Sequence, residues 1–362
     1  MKKPVKITLL SVVCVFLASL FVILSYAIYL LVDYSRMEDR LCLSPEGTPS
    51  VQMVKTNETY TALTQNVGFG AYTQDFTFFM DGGTQSRAKS KESVLFCINS
   101  AIELFHSFEP DFLFVQEVDT DSTRSHHVDQ RELIAQNYSN YSSVFAVNYH
   151  SSYLFYPFTN PHGASNSGLL TLSKATVSSA MRRSLPISTG FSKLLDLDRC
   201  YSVSRIPAEN GKELVLFNVH LSAYGGSDEI RAAQMNMLFA DLHAEYEKGN
   251  YCVCGGDFNH DFTGTSTQDL NGIGGTEYGW AQPFPAELLS SYPGISRAMD
   301  YDGELVPTCR NCDVPYQKGN FTLIVDGFLV SDNVEVSLVK NIETDFVYSD
   351  HNPVLLTFSL KG

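Results

Sequence analysis

The sequence predicts an α/β domain of mixed strands and helices, with two packed sheets and the helices outside them. Short apolar runs of strand length alternate with segments whose apolar residues recur every three or four positions. A second observation is the uncharged stretch from Ile7 to Val32 that precedes this pattern. It predicts one N-terminal transmembrane helix before the domain.

Composition limits the class of protein. The 362 residues are enough for one large domain, and 44% hydrophobic with 12% aromatic residues support a sizeable core rather than wholesale disorder. The net charge of -15 disfavours tight sequence-independent binding to nucleic acid, because such binding uses Lys and Arg to neutralise phosphates. A nuclease remains open, since a bound cation supplies positive charge locally.

The N-terminal apolar stretch has the length of a membrane span. Ile7–Val32 forms a helix of roughly 39 Å, enough to cross a hydrocarbon core of about 30 Å with some tilt. A cleavable signal peptide has a shorter apolar region and a small-residue cleavage site, and neither is evident here. Lys2, Lys3 and Lys6 precede the stretch, which predicts a cytoplasmic N-terminus. We therefore expect a single-pass anchor in the cell membrane with the remaining chain extracytoplasmic.

This interpretation divides the chain into three parts. Residues 1–36 are the cytoplasmic tip and transmembrane anchor. Residues 37–59 are polar and contain Pro45, Gly47 and Pro49, which predicts a stalk. Residues 60–362 form the globular domain.

The elements of this domain follow from periodicity. Tyr60–Val67 is a strand-like run broken by Gly68 and Gly70. Ser86–Phe108 has apolar residues at spacings of four and three, and Pro110 follows its end. Similar patterns predict strands at Phe112–Val115, Val144–Tyr149, Gly168–Ser173, Glu213–His220, Tyr251–Cys254, Phe321–Val330 and Val354–Leu360, and helices at Val128–Tyr138 and Asp228–Lys248. No helix or strand is predicted between Asp261 and Gln317, where the content of Gly, Thr, Ser and Pro is high.

The eight cysteines leave their chemistry open. Cys309 and Cys312 form a close pair in a loop, so either a disulfide or two unpaired thiols is compatible with the sequence. A zinc site would need a second pair with matching geometry, and we do not predict one.

Polar residues follow several of the apolar runs. Gln116-Glu117 comes after Phe112–Val115, and Asn218-Val219-His220 ends the run that begins at Glu213. Gly256-Asp257-Phe258-Asn259 follows another strand, and Ser349–Pro353 precedes the last one. Carboxylates, amides and imidazoles of this kind suit a hard divalent cation and a phosphate ester.

In their order along the chain, these motifs resemble the endonuclease/exonuclease/phosphatase superfamily. Its fold is that of pancreatic deoxyribonuclease, bacterial sphingomyelinases and inositol-polyphosphate 5-phosphatases, and we expect a membrane-anchored member of bacterial type. The resemblance runs from about Thr61 to Leu360 and implies a four-layered α/β sandwich, two packed mixed sheets flanked by helices, with a site at one edge of the sheets. The motifs are Asn66, Gln116-Glu117, Asn218–His220, Gly256–Asn259, Val325-Asp326 and Ser349–His351.

The resemblance also implies a cation site. Glu117 matches the principal Mg²⁺ ligand, with Asn66 and Asp350 helping to shape the site. Mn²⁺ or Ca²⁺ are alternatives to Mg²⁺, because each of these cations takes oxygen ligands.

The remaining motif residues are implied to act on the phosphate. Asp257 would orient or deprotonate the attacking water, and Asn259 would hold that water or a phosphate oxygen. His220 and His351 would contact the scissile phosphate, with Asp326 orienting His351. Arg124, Arg199 and His260 are weaker candidates for substrate contact. The structural alternative is a core-edge ion pair for Arg199 and an exposed turn for His260.

We therefore expect a membrane-tethered, Mg²⁺-dependent phosphoesterase that acts on a lipid headgroup or small phosphate ester by in-line water attack. An extracytoplasmic nuclease is the alternative, with nucleic acid possible but not favoured, and a catalytically silent binding module is a third hypothesis. A monomer is assumed.

The aromatic run Tyr153–Phe158 is interpreted as a hydrophobic plug over the sheet edge, in preference to a loop that rests on lipid or stacks a base.

Overall fold

The computed structural model describes residues 3–190, 193, 197–223, 227–272, 280, 282–299 and 305–362. Met1 and Lys2 of the predicted cytoplasmic tip lie outside this range, as do parts of the segment between Asp261 and Gln317. The chain forms two compact units, Met1–Arg36 and Met37–Gly362.

The first unit is helix α1 (Lys3–Asp33). Its segment Val5–Asp33 is long and apolar enough to cross a membrane. The same length and composition also fit a signal sequence, so the helix by itself does not distinguish the two.

The second unit contains the remaining elements. Its helices are α2 (Lys91–Phe108), α3 (Gln130–Asn137), α4 (Asp228–Glu247), α5 (Ser266–Asn271) and α6 (Ala286–Ser290). Its strands are β1 (Leu41–Leu43), β2 (Thr59–Asn66), β3 (Phe112–Asp119), β4 (Ser142–Leu154), β5 (Gly163–Ser173), β6 (Ser179–Ser184), β7 (Cys200–Pro207), β8 (Glu213–His220), β9 (Tyr251–Asp257), β10 (Ile295–Arg297), β11 (Cys309–Arg310), β12 (Thr322–Leu323), β13 (Asp326–Ser331), β14 (Val334–Asn341) and β15 (Val354–Leu360).

Within the described residues the strands form two large mixed sheets and one small pair. One sheet has the order β1-β6-β7-β8-β9-β13-β10, the other has the order β14-β15-β2-β3-β5-β4, and β11 pairs with β12. The pairs β2–β3 and β8–β9 are parallel, so helices α2 and α4 make their crossovers.

Three apolar clusters define the layers. Phe112 and Phe114 of one sheet pack with Leu214 and Phe328 of the other, which places this cluster between the sheets. A second cluster packs α2 against the outer face of the sheet that contains β2 and β3. A third packs α4 against the outer face of β8 and β9. The predicted four-layered α/β sandwich is confirmed.

One predicted strand is divided. The run Phe321–Val330 becomes β12 and β13, separated by Ile324 and Val325. The carbonyls of these two residues accept hydrogen bonds from the backbone N–H groups of Phe262 and Phe258. The break starts β13 at Asp326, beside the last residue of β9.

The predicted stalk at 37–59 is wrong. Strand β1 pairs with β6, and Arg183 binds the carboxylates of both Asp39 and Asp241. Val54 is fully buried between the sheets. Turn residues such as Pro45 and Gly47 made this segment resemble a linker, but its short strand and its apolar residues Leu43 and Val54 pack within the domain.

Substitutions at two valines of this segment will test its membership of the domain. Val54→Ala should lower the free energy of unfolding by about 1–2 kcal/mol, because it removes buried methyl groups and leaves a cavity. Val51→Ala is the matched control, since Val51 is 43% exposed and should change stability by less than about 0.5 kcal/mol. Urea unfolding of the full chain measures both changes in stability. If neither substitution lowers the free energy of unfolding, residues 37–59 are a stalk, as the sequence predicts.

Candidate active site

The site forms where strands of both sheets end. In the parallel pair β8–β9, His220 lies opposite Asp257, and in the neighbouring pair β9–β13, Asp257 lies opposite Asp326. In the other sheet, Asn66 at the end of β2 lies opposite Gln116. Carboxyl ends of parallel strands meet at the same sheet edge, so chemically active side chains from distant parts of the chain converge.

A β-bulge aims Glu117 into the site. The pairing of β3 with β5 shifts register between Val115 and Val118, and Glu117 has φ +56°. A bulge re-aims a side chain at the cost of local strain. The Oε1 atom of Glu117 accepts a hydrogen bond of 3.2 Å from Asn66 Nδ2. Glu117 therefore faces the cavity rather than either face of the sheet.

Two glycines allow close approach at this edge. Gly256 has φ +148°, and a Cβ there would lie 2.1 Å from the carbonyl oxygen of Val219. Gly68 has φ +52°, and its Cβ would lie 2.7 Å from Oδ1 of Asp350. A side chain at either position would separate groups that the site brings together.

Asp257 is the central carboxylate. Its Oδ2 accepts a hydrogen bond of 3.1 Å from Asn66 Nδ2, and its Oδ1 accepts one of 2.9 Å from the N–H of Asn259. Burial raises the pKa of Asp257 well above its ordinary value; His351 opposes this rise and Asp326 adds to it. The group is therefore much readier to take up a proton than a surface aspartate.

Two histidines flank Asp257, and their pKa values are shifted in opposite directions. His351 Nδ1 donates to Asp326 Oδ2 at 2.8 Å, and its Nε2 lies 3.9 Å from Asp257 Oδ2. Burial lowers the pKa of His351, but the charge of Asp326 outweighs this and raises it well above the usual value. His220 Nε2 lies 3.6 Å from Asp257 Oδ2, and burial together with Arg199 lowers its pKa well below the usual value.

The loop that carries His351 is tied to β2. Ser349 Oγ donates to the carbonyl of Asn66 at 2.8 Å and accepts from the N–H of His351 at 3.1 Å. Gln65 Nε2 donates to the carbonyl of His351 at 2.9 Å. These bonds hold Asp350 and His351 at the edge formed by the other motifs.

The carboxylates of the cavity fit a divalent cation. Glu117, Asp257 and Asp350 line the same cavity. Burial raises the pKa of Asp350 to about 6, with Glu117 adding to the rise. Carboxylates crowded in this way are stabilised by a hard cation with oxygen ligands. A second group, formed by Asp257, Asp326 and His351, has ligand atoms within 4.8 Å of one another.

Asn66 and Asn259 support these groups through their amides. The amide oxygen of Asn66 accepts from the N–H of Gly68 at 2.9 Å, so its NH₂ faces the carboxylates of Glu117 and Asp257. In this orientation Asn66 positions the two carboxylates and directs its amide oxygen to the backbone of Gly68. Asn259 lines the cavity and donates to the carbonyl of Leu221 at 2.9 Å.

The three weaker candidates have different environments. Arg124 is buried and makes two hydrogen bonds, of 3.1 and 2.9 Å, to Asp119, so its charge is compensated within the protein. Arg199 lines the cavity, and its Nε and Nη1 atoms are buried without a hydrogen-bond partner among the described residues. His260 is bound to the carbonyl of Phe258 and is not among the residues that line the cavity, so it is neither an exposed turn nor a cavity contact.

The structure adds cavity residues that the sequence did not indicate. Arg310 and Cys309 line it, and the backbone N–H of Arg310 donates to the carbonyl of Asp350. Cys309 and Cys312 are both buried free thiols. Cys309 and Arg310 are the two residues of strand β11. The short β11–β12 pair has no periodic signal in the sequence, so its contribution to the cavity could not be predicted.

The cavity has a volume of about 310 Å³ and an aromatic wall. Phe69, Tyr72 and Phe78 form this wall. The interpretation of Tyr153–Phe158 as a buried plug is wrong, because Phe155, Tyr156 and Phe158 are exposed. A turn at the end of the long β4–β5 hairpin carries them away from the sheet.

Comparisons with known proteins agree with this geometry. The model of the Endonuclease/Exonuclease/phosphatase family matches residues 63–351. No curated protein matches the sequence. Among solved structures, an endonuclease/exonuclease/phosphatase from Beutenbergia cavernae has 16% identity and a TM-score of 0.59, covering 84% of this chain and 72% of that one.

Two further structures share the fold. ANGEL2, a 2′,3′-cyclic phosphatase in complex with adenosine-2′,3′-vanadate, has 15% identity and a TM-score of 0.54, covering 88% of this chain and 99% of that one. The human Nocturnin catalytic domain with bound sulfate has 16% identity and a TM-score of 0.52, covering 88% and 98%. The matched span exceeds half of the chain and contains all six motifs, from Asn66 to His351. The chain therefore belongs to the endonuclease/exonuclease/phosphatase family, whose members are metal-dependent hydrolases of phosphate esters.

Proposed function

We propose that the chain is a membrane-tethered, Mg²⁺-dependent phosphoesterase that cleaves a phosphate ester of a lipid headgroup or small molecule by in-line attack of water. The observation that carries this proposal is the row His220, Asp257 and Asp326 on three adjacent strands, with His351 above it. Together with His351, this row provides a carboxylate that readily accepts a proton, Asp257, a neutral imidazole, His220, and a charged imidazole, His351. Those are the groups that hydrolysis of a phosphate ester requires.

Glu117 and Asp350 would hold the cation, with Asn66 fixing the orientation of Glu117. We assign the tighter group of Asp257, Asp326 and His351 to proton handling instead, because Asp326 Oδ2 is already bonded to His351 Nδ1. An oxygen-rich site favours Mg²⁺, with Mn²⁺ or Ca²⁺ as substitutes. When bound, the cation supplies positive charge against the phosphoryl oxygens.

Asp257 would orient the attacking water and take its proton, since burial makes this carboxylate an unusually good base. Asn259 would hold the water or a phosphate oxygen from the same turn. His351, kept charged by Asp326, would stabilise the phosphate and hold a proton at Nε2 for the leaving group. His220, kept neutral, would donate a hydrogen bond to a phosphoryl oxygen without adding charge.

Arg199 would provide a further phosphate contact. Its buried guanidinium has donors without partners among the described residues. An anion in the cavity would accept these hydrogen bonds and so remove the energetic cost of leaving them unmade. Arg124 differs, because Asp119 already binds it in a forked geometry. We therefore retain Arg199 as a substrate contact and assign Arg124 to the cavity wall.

Charge and the N-terminal helix favour one substrate class over another. The net charge of -15 weighs against a long nucleic acid, and the apolar helix α1 favours action at a membrane. A nuclease remains the second candidate, because ANGEL2, a structure with the same fold, holds a nucleotide analogue, adenosine-2′,3′-vanadate. A silent binding module is disfavoured by the complete set of motif residues.

A substrate panel tests the reaction. Purified full chain with Mg²⁺ should hydrolyse at least one of four classes: a lipid phosphodiester, a phosphate monoester, a soluble diester or DNA. EDTA and His351→Ala should each abolish the activity, and Glu117→Gln should raise the Mg²⁺ concentration needed for half-maximal rate, because one charged ligand is lost. Initial rates against Mg²⁺ concentration give both results.

The outcomes of this panel are separable. No turnover with any class would contradict the enzymatic proposal. An unchanged Mg²⁺ dependence in Glu117→Gln would remove Glu117 from the cation site. DNA as the preferred class would favour the nuclease.

Asp326→Asn tests the role of the buried carboxylate. Loss of its charge should lower the pKa of His351 and reduce kcat by about a hundredfold, the scale of general acid–base catalysis. The thermal unfolding midpoint should change little, because the amide oxygen can still accept the proton of Nδ1. A variant that loses its folding transition would instead make Asp326 a structural residue.

Protease treatment of intact cells tests the topology. An extracytoplasmic domain held by helix α1 should be released or degraded by added protease, while a cytoplasmic marker protein stays intact. Protection of the domain until the cells are lysed would overturn the external location. Release into the medium without protease would identify α1 as a cleaved signal sequence.

A further inference from the structure

The loop between β4 and β5 exposes three aromatic side chains. Phe155, Tyr156 and Phe158 are 50%, 62% and 83% exposed, and we call them the aromatic tip. Isolated exposed apolar residues are normal, but a contiguous group marks an interaction surface. The rings of Tyr156 and Phe158 lie 5.9 Å apart, so these two residues form one patch.

The aromatic tip continues into the wall of the catalytic cavity. The ring of Tyr156 lies 5.8 Å from that of Phe79, which lies 4.9 Å from that of Phe78. Phe78 and the 58% exposed Met80 both line the cavity. A series of ring contacts therefore connects the tip to the wall of the cavity where the phosphate ester would bind.

The base of the loop is anchored to the domain. Ser86 Oγ and Arg87 Nε donate to the carbonyls of Asn160 and Pro161. His162 Nδ1 donates to the carbonyl of Ser86 at 2.9 Å, and its backbone N–H donates to the carbonyl of Tyr156 at 3.1 Å. The domain thus presents the exposed rings on a structured turn rather than on an unattached segment.

The charge of this region selects among possible partners. Residues 155–162 contain no Asp, Glu, Lys or Arg. Burial, with Arg124 adding to it, lowers the pKa of His162 to about 4, so the loop is uncharged at neutral pH. Residues 37–362 hold 21 of the 25 basic and 39 of the 40 acidic residues of the chain. Nucleic acids and anionic membranes would be repelled by this balance, whereas a zwitterionic lipid surface would not.

We infer that the aromatic tip inserts into the interface of a zwitterionic lipid bilayer and presents the cavity to a phosphate ester at that surface. Aromatic side chains favour this depth because their rings are apolar and the hydroxyl of Tyr reaches water. The inference rests on the proposed function for the identity of the ester, but the docking itself is independent of catalysis. Helix α1 gives a second, separate indication that the chain works at a membrane.

Quenching of tryptophan fluorescence by brominated lipid tests the contact in the full chain. Phe158→Trp places a reporter on the tip, and Phe96→Trp is the control, since Phe96 is an exposed phenylalanine as well, at 50%, but lies on α2. Both variants are reconstituted in phosphatidylcholine vesicles with and without acyl-chain bromine. The signal of Trp280, the single native tryptophan, is subtracted using the unsubstituted chain.

Phe158→Trp should emit at shorter wavelength and lose intensity with brominated lipid, while Phe96→Trp should do neither. Equal responses of the two reporters would overturn docking by the tip. Quenching of Phe158→Trp by a single-stranded oligonucleotide, without quenching by lipid, would make the tip a base-stacking surface. A spectral shift that depends on protein density in the vesicle would assign it to contact between copies.

Activity provides a second readout that separates docking from the proposed function. Phe158→Ser should slow hydrolysis of a vesicle-borne phosphate ester roughly tenfold, the scale of one buried aromatic side chain. Hydrolysis of the same headgroup as a soluble ester should be unchanged. Equal rates of the variant and the unsubstituted chain on vesicles would contradict docking, and absence of turnover on both substrates would contradict only the proposed function.

Discussion

A buried amide pair between the two sheets sets the geometry on which the site depends. Gln116 Nε2 donates to Asn218 Oδ1 at 2.8 Å, and Asn218 Nδ2 donates to the carbonyl of Leu170 at 3.0 Å. Buried amides are costly unless they are satisfied, so this pairing admits one alignment of the sheets. The next residue after Gln116 is Glu117, and His220 lies two residues after Asn218. The bond that aligns the sheets therefore also aligns the cation side of the site with its imidazole side.

The electrostatics of the site follow from that alignment. Burial removes water from several ionisable groups at once, and the pKa of each group then also depends on the charges nearest to it. His351 has Asp326 as a hydrogen-bonded partner and stays charged, whereas His220 has Arg199 nearby and stays neutral. Asp257 lies between them with a raised pKa. The same two residue types thereby acquire three different protonation behaviours within a few ångströms.

Much of this site could be predicted from sequence because its residues follow local rules. Asp257 and Asn259 lie in an Asx-type turn after an apolar strand, and Glu117 and His220 also follow or end such strands. The order of the motifs carried the resemblance to the family, and that resemblance implied that they converge at one edge of the sheets. The predicted stalk failed for a related reason. Its turn residues are those of a linker, while its attachment depends on Arg183, which lies far away in the chain.

By itself, the sequence determined the apolar N-terminal helix, the alternation of strands and helices, and the residue types at the strand ends, because each depends on neighbours within a few positions. Tertiary structure alone decided the rest. It placed Arg310 and Cys309 in the cavity through a two-residue strand pair, turned the amide oxygen of Asn66 toward Gly68, and left Phe158 exposed at a hairpin end. These outcomes depend on contacts between segments far apart in the chain, and the pattern of residues around each position carries no record of those contacts.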